Sequence, residues 1–73
     1  MGMNIEVGQC LLKPILKRKH MTQQDLAVLT GMSKQEINTY ANNRRKMSLK
    51  SAKIISEALN VHIDDLYEWE VTE

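Results

Sequence analysis

The stretch MTQQDLAVLTGMSKQEINTYANNRR, residues 21–45, decides how this chain folds. Thr22 and Ser33 are of the residue types that favour helix N-caps, and each is followed three residues later by an acidic residue. That spacing is typical of a capping box; Glu36 matches the strict pattern, and Asp25 matches it less closely. The stretch therefore predicts two helices that begin in quick succession.

Gly31 lies between these two helices, where a chain that leaves a helix needs a residue that tolerates positive φ. Two helices of about eight residues joined by a glycine-bearing turn form the skeleton of a helix-turn-helix. The motif predicts that its second helix, residues 34–41, forms a surface that reads double-stranded DNA.

The composition restricts the other classes of function. A chain of 73 residues makes one small domain. Its single cysteine, Cys10, cannot form an intramolecular disulfide and shares no zinc-type spacing with His20 or His62. There is no nucleophile motif, and no apolar run reaches the roughly 18 residues that a membrane span needs. We therefore expect a cytoplasmic protein that is not an enzyme and has no metal, cofactor, membrane or small-molecule ligand.

The near-neutral charge of the chain conceals two halves of opposite sign. Residues 1–50 contain nine basic and three acidic residues, a net charge of +6, whereas residues 51–73 contain one basic and six acidic residues, a net charge of −5. A polyanion responds to the local field rather than to the total charge. The first half is therefore the part that we expect to meet DNA, although solvated helix faces would also explain the charges.

Apolar residues recur at spacings of three and four, and no stretch alternates convincingly, so the pattern predicts five helices and no strands. The fold class is therefore all-α, and helices 2 and 3 form the helix-turn-helix. We expect residues 1–7 to be a flexible N-terminal arm, residues 8–69 to be the domain, and residues 70–73 to be a C-terminal tail. The helices are expected at about residues 8–19, 23–30, 34–41, 49–59 and 63–69.

Helical geometry divides the third predicted helix into two faces, since each residue turns the chain by about 100°. Amide, hydroxyl and amine side chains share the outer face, and such groups pair with base edges in the major groove. A polar stripe facing solvent would be the alternative interpretation. The outer face comprises Lys34, Gln35, Asn38 and Thr39, and the inner face comprises Ile37, Tyr40 and Ala41.

Phosphate contacts are expected on both sides of this helix. Gln23 begins the second helix, where the amide side chain and the free backbone N–H groups can meet an anion. A polar and basic loop follows the third helix, and such contacts fix the register of a protein on DNA. The alternative for Arg44 or Arg45 is an ion pair with an acid of the same domain. The loop residues predicted to contact phosphate are Asn43, Arg44, Arg45 and Lys46.

With these residues placed, residues 9–67 resemble the Cro/C1-type, or Xre, helix-turn-helix family of phage and bacterial repressors. The resemblance rests on MTQQDLA, TGMSKQEINTY, the basic loop and SLKSAKIISEALNVHIDDL. It implies a five-helix, lambda-repressor-like domain that binds palindromic operators as a dimer, with helix 3 in the major groove. It also implies that Gln23 contacts phosphate, that the outer face of helix 3 reads bases, and that Ser33 lies at the entrance of that helix.

The chain departs from the family at several positions. Many members have an arginine and a glutamate as a partly buried ion pair where Leu16 and Ala41 stand here. Because both partners are apolar, no buried charge is left unpaired. His20 and Asn43 stand where the family commonly has glycine. None of these changes removes the side chains expected to face DNA.

The function predicted from the sequence is a bacterial or phage-encoded transcriptional regulator, nucleoid-associated and acting as a repressor. The alternative is a protein-interaction module, such as an antitoxin or an antirepressor of the same fold. It is motivated by apolar residues in excess of those that the core requires, and the same residues would also suit a homodimer interface. Tyr67 and Trp69 are the candidate anchors of that interface, since aromatic residues are enriched at such contacts.

Overall fold

The computed structural model describes residues 2–72 and contains helices and a small sheet. The two ends of the chain form the strands, and the four α-helices lie between them. In chain order the elements are β1 (Asn4–Cys10), α1 (Leu12–Arg18), α2 (Gln23–Thr30), α3 (Lys34–Ala41), α4 (Leu49–Leu59), a one-turn 3-10 helix (Ile63–Leu66) and β2 (Tyr67–Thr72).

The expectation of an all-α, five-helix fold is therefore wrong. The fifth helix is reduced to the 3-10 turn, and β2 follows it at once and pairs with β1 as an antiparallel sheet. The reason is visible in β2, whose sequence YEWEVT alternates aromatic or β-branched residues with glutamates, as a half-exposed strand does. Residues 4–7 of the expected arm and 70–72 of the expected tail lie in these strands, while the division of the chain into arm, domain and tail remains a prediction.

The sheet has one apolar face and one acidic face. Ile5 pairs with Val71 and Val7 with Trp69, whereas Glu6 lies opposite Glu70 on the other face. The register then shifts by one residue between Val7 and Cys10, which is a β-bulge. The shift places the Gly8–Gln9 segment of β1 against Glu68.

Glycine is needed at the bulge because the strands approach closely there. A Cβ atom at Gly8 would lie 3.1 Å from both the Cβ atom and the carbonyl oxygen of Glu68. A larger residue at this position would therefore push the two strands apart near the end of β1.

The core lies between the four helices and the inner end of the sheet. α3 turns Ile37, Tyr40 and Ala41 inward, which confirms the inner face predicted for this helix. Leu16 and Ala41 are both buried, so apolar packing occupies the positions where the family often has an ion pair. The side chains with the least exposure are Leu12, Ile15, Leu26, Ile37, Ile55, Leu59 and Leu66.

Each described α-helix is followed, within two residues, by a residue with positive φ. Gly31 (+74°) directly follows α2, as the sequence predicts, and Asn60 (+56°) directly follows α4, whereas His20 (+57°) and Asn43 (+61°) lie two positions beyond α1 and α3. Asparagine tolerates this region better than most residues. These left-handed residues turn the chain sharply and keep the helices short.

Gly31→Ala is expected to lower the free energy of unfolding by about 1–2 kcal/mol, because a Cβ atom is strained at positive φ. No atom lies within 4 Å of the Cβ position, so the cost comes from the backbone alone. Urea denaturation followed by circular dichroism measures it. Gly2→Ala is the control, because Gly2 is equally uncrowded and its φ is not positive. Equal stability of the two variants would contradict the left-handed turn.

Candidate nucleic-acid interface

The N-caps of α2 and α3 set the geometry of the interface. The Thr22 hydroxyl accepts from the Asp25 N–H (3.0 Å), and the Asp25 carboxylate accepts from the Thr22 N–H (2.9 Å), which completes a capping box. Ser33 caps α3 by accepting from the Glu36 N–H (3.0 Å), but the Glu36 carboxylate accepts from the Tyr40 hydroxyl (3.1 Å) instead of returning to the cap. The box therefore forms at Asp25, the weaker match, because Tyr40 engages the other acid.

The predicted base-reading side chains lie together on the outer side of α3. Ser33, Lys34 and Gln35 are exposed, while Asn38 and Thr39 are half-buried. The Thr39 hydroxyl donates to the Gln35 carbonyl oxygen (2.9 Å), so the hydroxyl is used within the helix. The methyl group is then the part of Thr39 left for a contact with a base.

A hydrogen bond joins the base-reading and phosphate-contacting sets. The Asn38 side-chain amide donates to the Gln23 side-chain oxygen (3.2 Å), which connects α3 to the start of α2. The Gln23 NH₂ group remains available as a donor. Asn38 keeps its oxygen and its second N–H, so it can still form two hydrogen bonds to a base. The two residues are fifteen positions apart, and no pattern in the sequence predicts this pair.

Arg45 is held against α3 rather than extended from it. Its guanidinium carbon lies 5.7 Å from the centre of the Tyr40 ring, within the range of a cation–π interaction. The arginine also lines an open groove of about 400 Å³ along α3, together with Ser33, Gln35, Glu36 and Thr39. A cation is thus placed beside the predicted base-reading face.

The positive charges of the basic loop are not neutralised by acidic side chains of the described residues. Among residues 2–72 the one ion pair joins Lys53 to Glu57, at 3.0 Å, so neither Arg44 nor Arg45 is paired with an acid in this part of the chain. Arg44, Arg45 and Lys46 are all exposed. Asn43 differs from them, because its side-chain amide is hydrogen-bonded to β1.

The two candidate anchors of a dimer have different surroundings. Tyr67 is only 8% exposed, and its hydroxyl oxygen accepts from the Met47 N–H (2.9 Å), so the ring belongs to the core. Burial also raises the pKa of its phenol. Trp69 is 44% exposed, and its indole N–H donates to the Asp64 carbonyl oxygen (2.8 Å), which fixes the ring. Of the two, Trp69 is the one that presents area to a partner.

Other apolar side chains extend the exposed surface around Trp69, and two of them, Ile5 and Leu49, are not expected there from the sequence. Ile5 and Val71 are 50% and 54% exposed, and they line a groove with Trp69 and Asp64. Leu49 of α4 is 78% exposed and borders a second groove that also contains Trp69 and Lys46. The alternation of β2 was the signal that could have shown this face.

The described residues offer no arrangement for metal binding. Within residues 2–72, no group of three or more His, Cys, Asp and Glu side chains could hold a metal ion. The Cys10 thiol is buried, and burial raises its pKa, which keeps it in the neutral and weakly nucleophilic form. None of the helices in this part of the chain is long and apolar enough to cross a membrane.

Comparison with known proteins gives matches across most of the chain. A model of the helix-turn-helix family matches residues 12–66, so both strands lie outside the match. Two relatives come from Bacillus subtilis strain 168. The SPbeta prophage-derived uncharacterized HTH-type transcriptional regulator YopS is 39% identical over 92% of each chain. The similarly described regulator YotL is 30% identical over 85% of this chain and 79% of its own.

A solved structure shares the fold. The restriction-modification controller protein C.AhdI from Aeromonas hydrophila superposes with a TM-score of 0.71 over 75% of this chain and 83% of its own. The two sequences are 24% identical, so this likeness concerns the fold alone.

Proposed function

The chain belongs to the Cro/C1-type helix-turn-helix family of DNA-binding transcription regulators, and we propose that it binds a palindromic operator as a homodimer and represses transcription from it. In this proposal α3 lies in the major groove. The observation that carries it is the set of polar side chains on the outer face of α3, flanked by Arg44 and Arg45, which form no ion pair with an acid among the described residues. The regulator names of the two prophage relatives support it.

The outer face of α3 carries the chemistry that base reading requires. An amide side chain such as Gln35 or Asn38 can pair with the N6 and N7 atoms of adenine, and Lys34 can donate to guanine. The Thr39 methyl can contact the methyl group of thymine. Asn38 is held by Gln23, so its orientation is set before DNA arrives. Preorganisation of this kind lowers the entropy lost on binding.

Phosphate contacts lie on both sides of this face. Gln23 supplies an NH₂ group beside the N-terminus of α2, where free backbone N–H groups favour an anion. Arg44, Arg45 and Lys46 supply charge at the other end of α3. Contacts of this type position the protein without reading sequence.

Gln35→Ala and Asn38→Ala are each expected to relax specificity at one or two base pairs per half-site, at about 1–3 kcal/mol per position. Selection of bound DNA from random duplexes measures the preference of each variant. For the parent we expect a palindrome whose half-site centres are about one helical turn apart. Asn4→Ala is the matched control, since Asn4 is exposed at the far end of the sheet.

Two outcomes of this selection would contradict the proposal. If both helix variants preferred the same duplexes as the parent, α3 would not be the reading element. If the parent enriched no duplex at all, the alternative of a protein-interaction module such as an antitoxin or antirepressor would be favoured.

The homodimer is proposed to form through the apolar sheet face, by which we mean Ile5, Val7, Trp69 and Val71 together with the neighbouring Leu49. Trp69 is the anchor, because its ring is both exposed and fixed by a hydrogen bond. Lys46 borders this face at the Leu49 groove, and Asp64 borders it at the Ile5 groove. A two-fold axis would set Lys46 of one copy near the Asp64 position of the other, so the face is complementary to itself.

A further inference from the structure

Asn43 closes the C-terminus of α3 and begins the basic loop. Its N–H donates to the Tyr40 carbonyl oxygen (3.1 Å), and the Arg44 N–H donates to the Thr39 carbonyl oxygen (3.0 Å). These two bonds, with positive φ at Asn43, form a Schellman motif. Glycine would satisfy the same backbone, so the motif alone does not account for an asparagine side chain.

The Asn43 side chain bonds to β1 through both of its polar atoms. The oxygen accepts from the Cys10 N–H (2.7 Å), and the NH₂ group donates to the Gln9 side-chain oxygen (3.0 Å). Next to it, the Lys13 amine donates to the Asn42 side-chain oxygen. Gln9 and Cys10 are thirty-four and thirty-three positions away, at the bulge where the strand register shifts. The loop after α3 is therefore joined to the sheet by the two side-chain hydrogen bonds of Asn43, which we call the tie.

We propose that Asn43 is a positioning residue, which holds the start of the basic loop against β1 so that Arg44 and Arg45 stand beside α3 before DNA binds. This inference rests on the proposed DNA-binding function. It gives Asn43 a role besides the direct phosphate contact predicted from the sequence, because the side-chain oxygen and one N–H of the NH₂ group are already bonded to β1. β1 lies outside residues 12–66, the segment that the family model matches, so these bonds join that segment to a strand outside it.

Asn43 is expected to affect affinity because it limits the conformational freedom of the basic loop before DNA binds. A loop with few contacts must be ordered when a ligand binds, and that entropy is subtracted from the affinity. Here Arg44 follows the tied residue directly, and Arg45 is already stacked on Tyr40. Release of Asn43 would leave the arginines in the chain but would make their positions variable.

The test compares Asn43→Gly with Asn60→Gly in the full chain. Both residues have nearly the same positive φ, which glycine accepts, and Asn60 lies at the other end of α4, away from the loop. Affinity is measured on one duplex over a series of salt concentrations. We expect Asn43→Gly to weaken binding roughly 3- to 10-fold at each salt concentration, with little change in the slope of log K against log salt, because the arginines still reach phosphate once they are ordered.

Gln9→Ala is the second variant, and it keeps the test decisive if Asn43→Gly folds poorly. Gln9 is exposed and belongs to neither predicted DNA-contacting set, so a smaller change in the same direction is expected from it. Asn60→Gly should bind as the parent does. If Asn43→Gly weakened binding while Gln9→Ala bound as the parent does, or if both variants behaved as the parent, the positioning role would be overturned.

Amide hydrogen exchange in the absence of DNA separates this inference from the proposed function. Exchange at Arg44 and Arg45 is expected to be faster in Asn43→Gly than in Asn60→Gly, because the tie is lost only in the first. If the parent bound no duplex, the proposed function would fail, and exchange would still decide whether the tie orders the loop. Equal exchange in the two variants would overturn the tie itself.

Discussion

Replacement of both Arg44 and Arg45 by alanine is expected to weaken DNA binding by about 2–4 kcal/mol, which is roughly 30- to 700-fold. Both side chains are exposed and unpaired with any acid among residues 2–72, so their charge is available to phosphate. The loss should be equal for operator and random duplexes, because phosphate contacts carry no sequence information. Fluorescence anisotropy over a salt series measures it, and we expect the salt slope to fall by about 1.8 for two contacts.

The matched control removes the same charge from another surface. Lys17 and Arg18 lie in the last turn of α1, are exposed, and belong to neither predicted DNA-contacting set. Lys17→Ala/Arg18→Ala therefore lowers the net charge equally and should have a much smaller effect on affinity and slope. Equal losses in the two double variants would show that the overall field, not the loop, attracts DNA.

Trp69→Ala is expected to convert a dimer to a monomer, with a cost of about 2–4 kcal/mol for a buried aromatic anchor. The dissociation constant of the dimer would rise roughly 30- to 700-fold. Sedimentation over a range of concentrations measures this change. Binding to a two-half-site duplex should weaken with it, while binding to a single half-site should not change, because α3 is untouched.

Two further variants test whether the effect belongs to the apolar sheet face. Val71→Glu introduces a charge on that face without removing the Trp69–Asp64 hydrogen bond, and it should also yield a monomer. Val28→Ala removes another exposed apolar side chain, on α2, and should leave the dimer intact. A parent that is monomeric at high micromolar concentration, or a Trp69→Ala variant that remains dimeric, would eliminate this interface.

The parts of the fold predicted well are those determined by near neighbours in sequence. The caps at Thr22 and Ser33, the turn at Gly31 and the inner face of α3 are confirmed, because each depends on residues within about one helical turn. The pairing of the strands was not predicted, because it depends on residues that are far apart in sequence. Asn4 pairs with Thr72, and no local pattern shows that the two ends of the chain meet. The last predicted helix, residues 63–69, is also longer than the 3-10 turn that forms at Ile63–Leu66.

The candidate site shows the same division. Helical periodicity placed Lys34, Gln35, Asn38 and Thr39 on one face, and the structure brings them together there. Their role in base reading remains a prediction. What the sequence did not reveal is the internal use of side chains by distant partners. The Asn43 side chain is hydrogen-bonded to β1, and the Tyr67 hydroxyl accepts a hydrogen bond from a backbone N–H twenty positions away. Both side chains therefore stabilise the fold, besides any role at a surface.

The pairing of the first strand with the last has a consequence for the synthesis of the molecule. β1 is synthesised before its partner in the sheet, which is the last of the described elements. Contacts among the four helices involve no residue beyond Leu59, so they can form before β2 is available. The apolar sheet face, and with it the proposed dimer, exists only after β2 has emerged. A nascent chain would thus contain all of α2 and α3 before it could recognise a second copy.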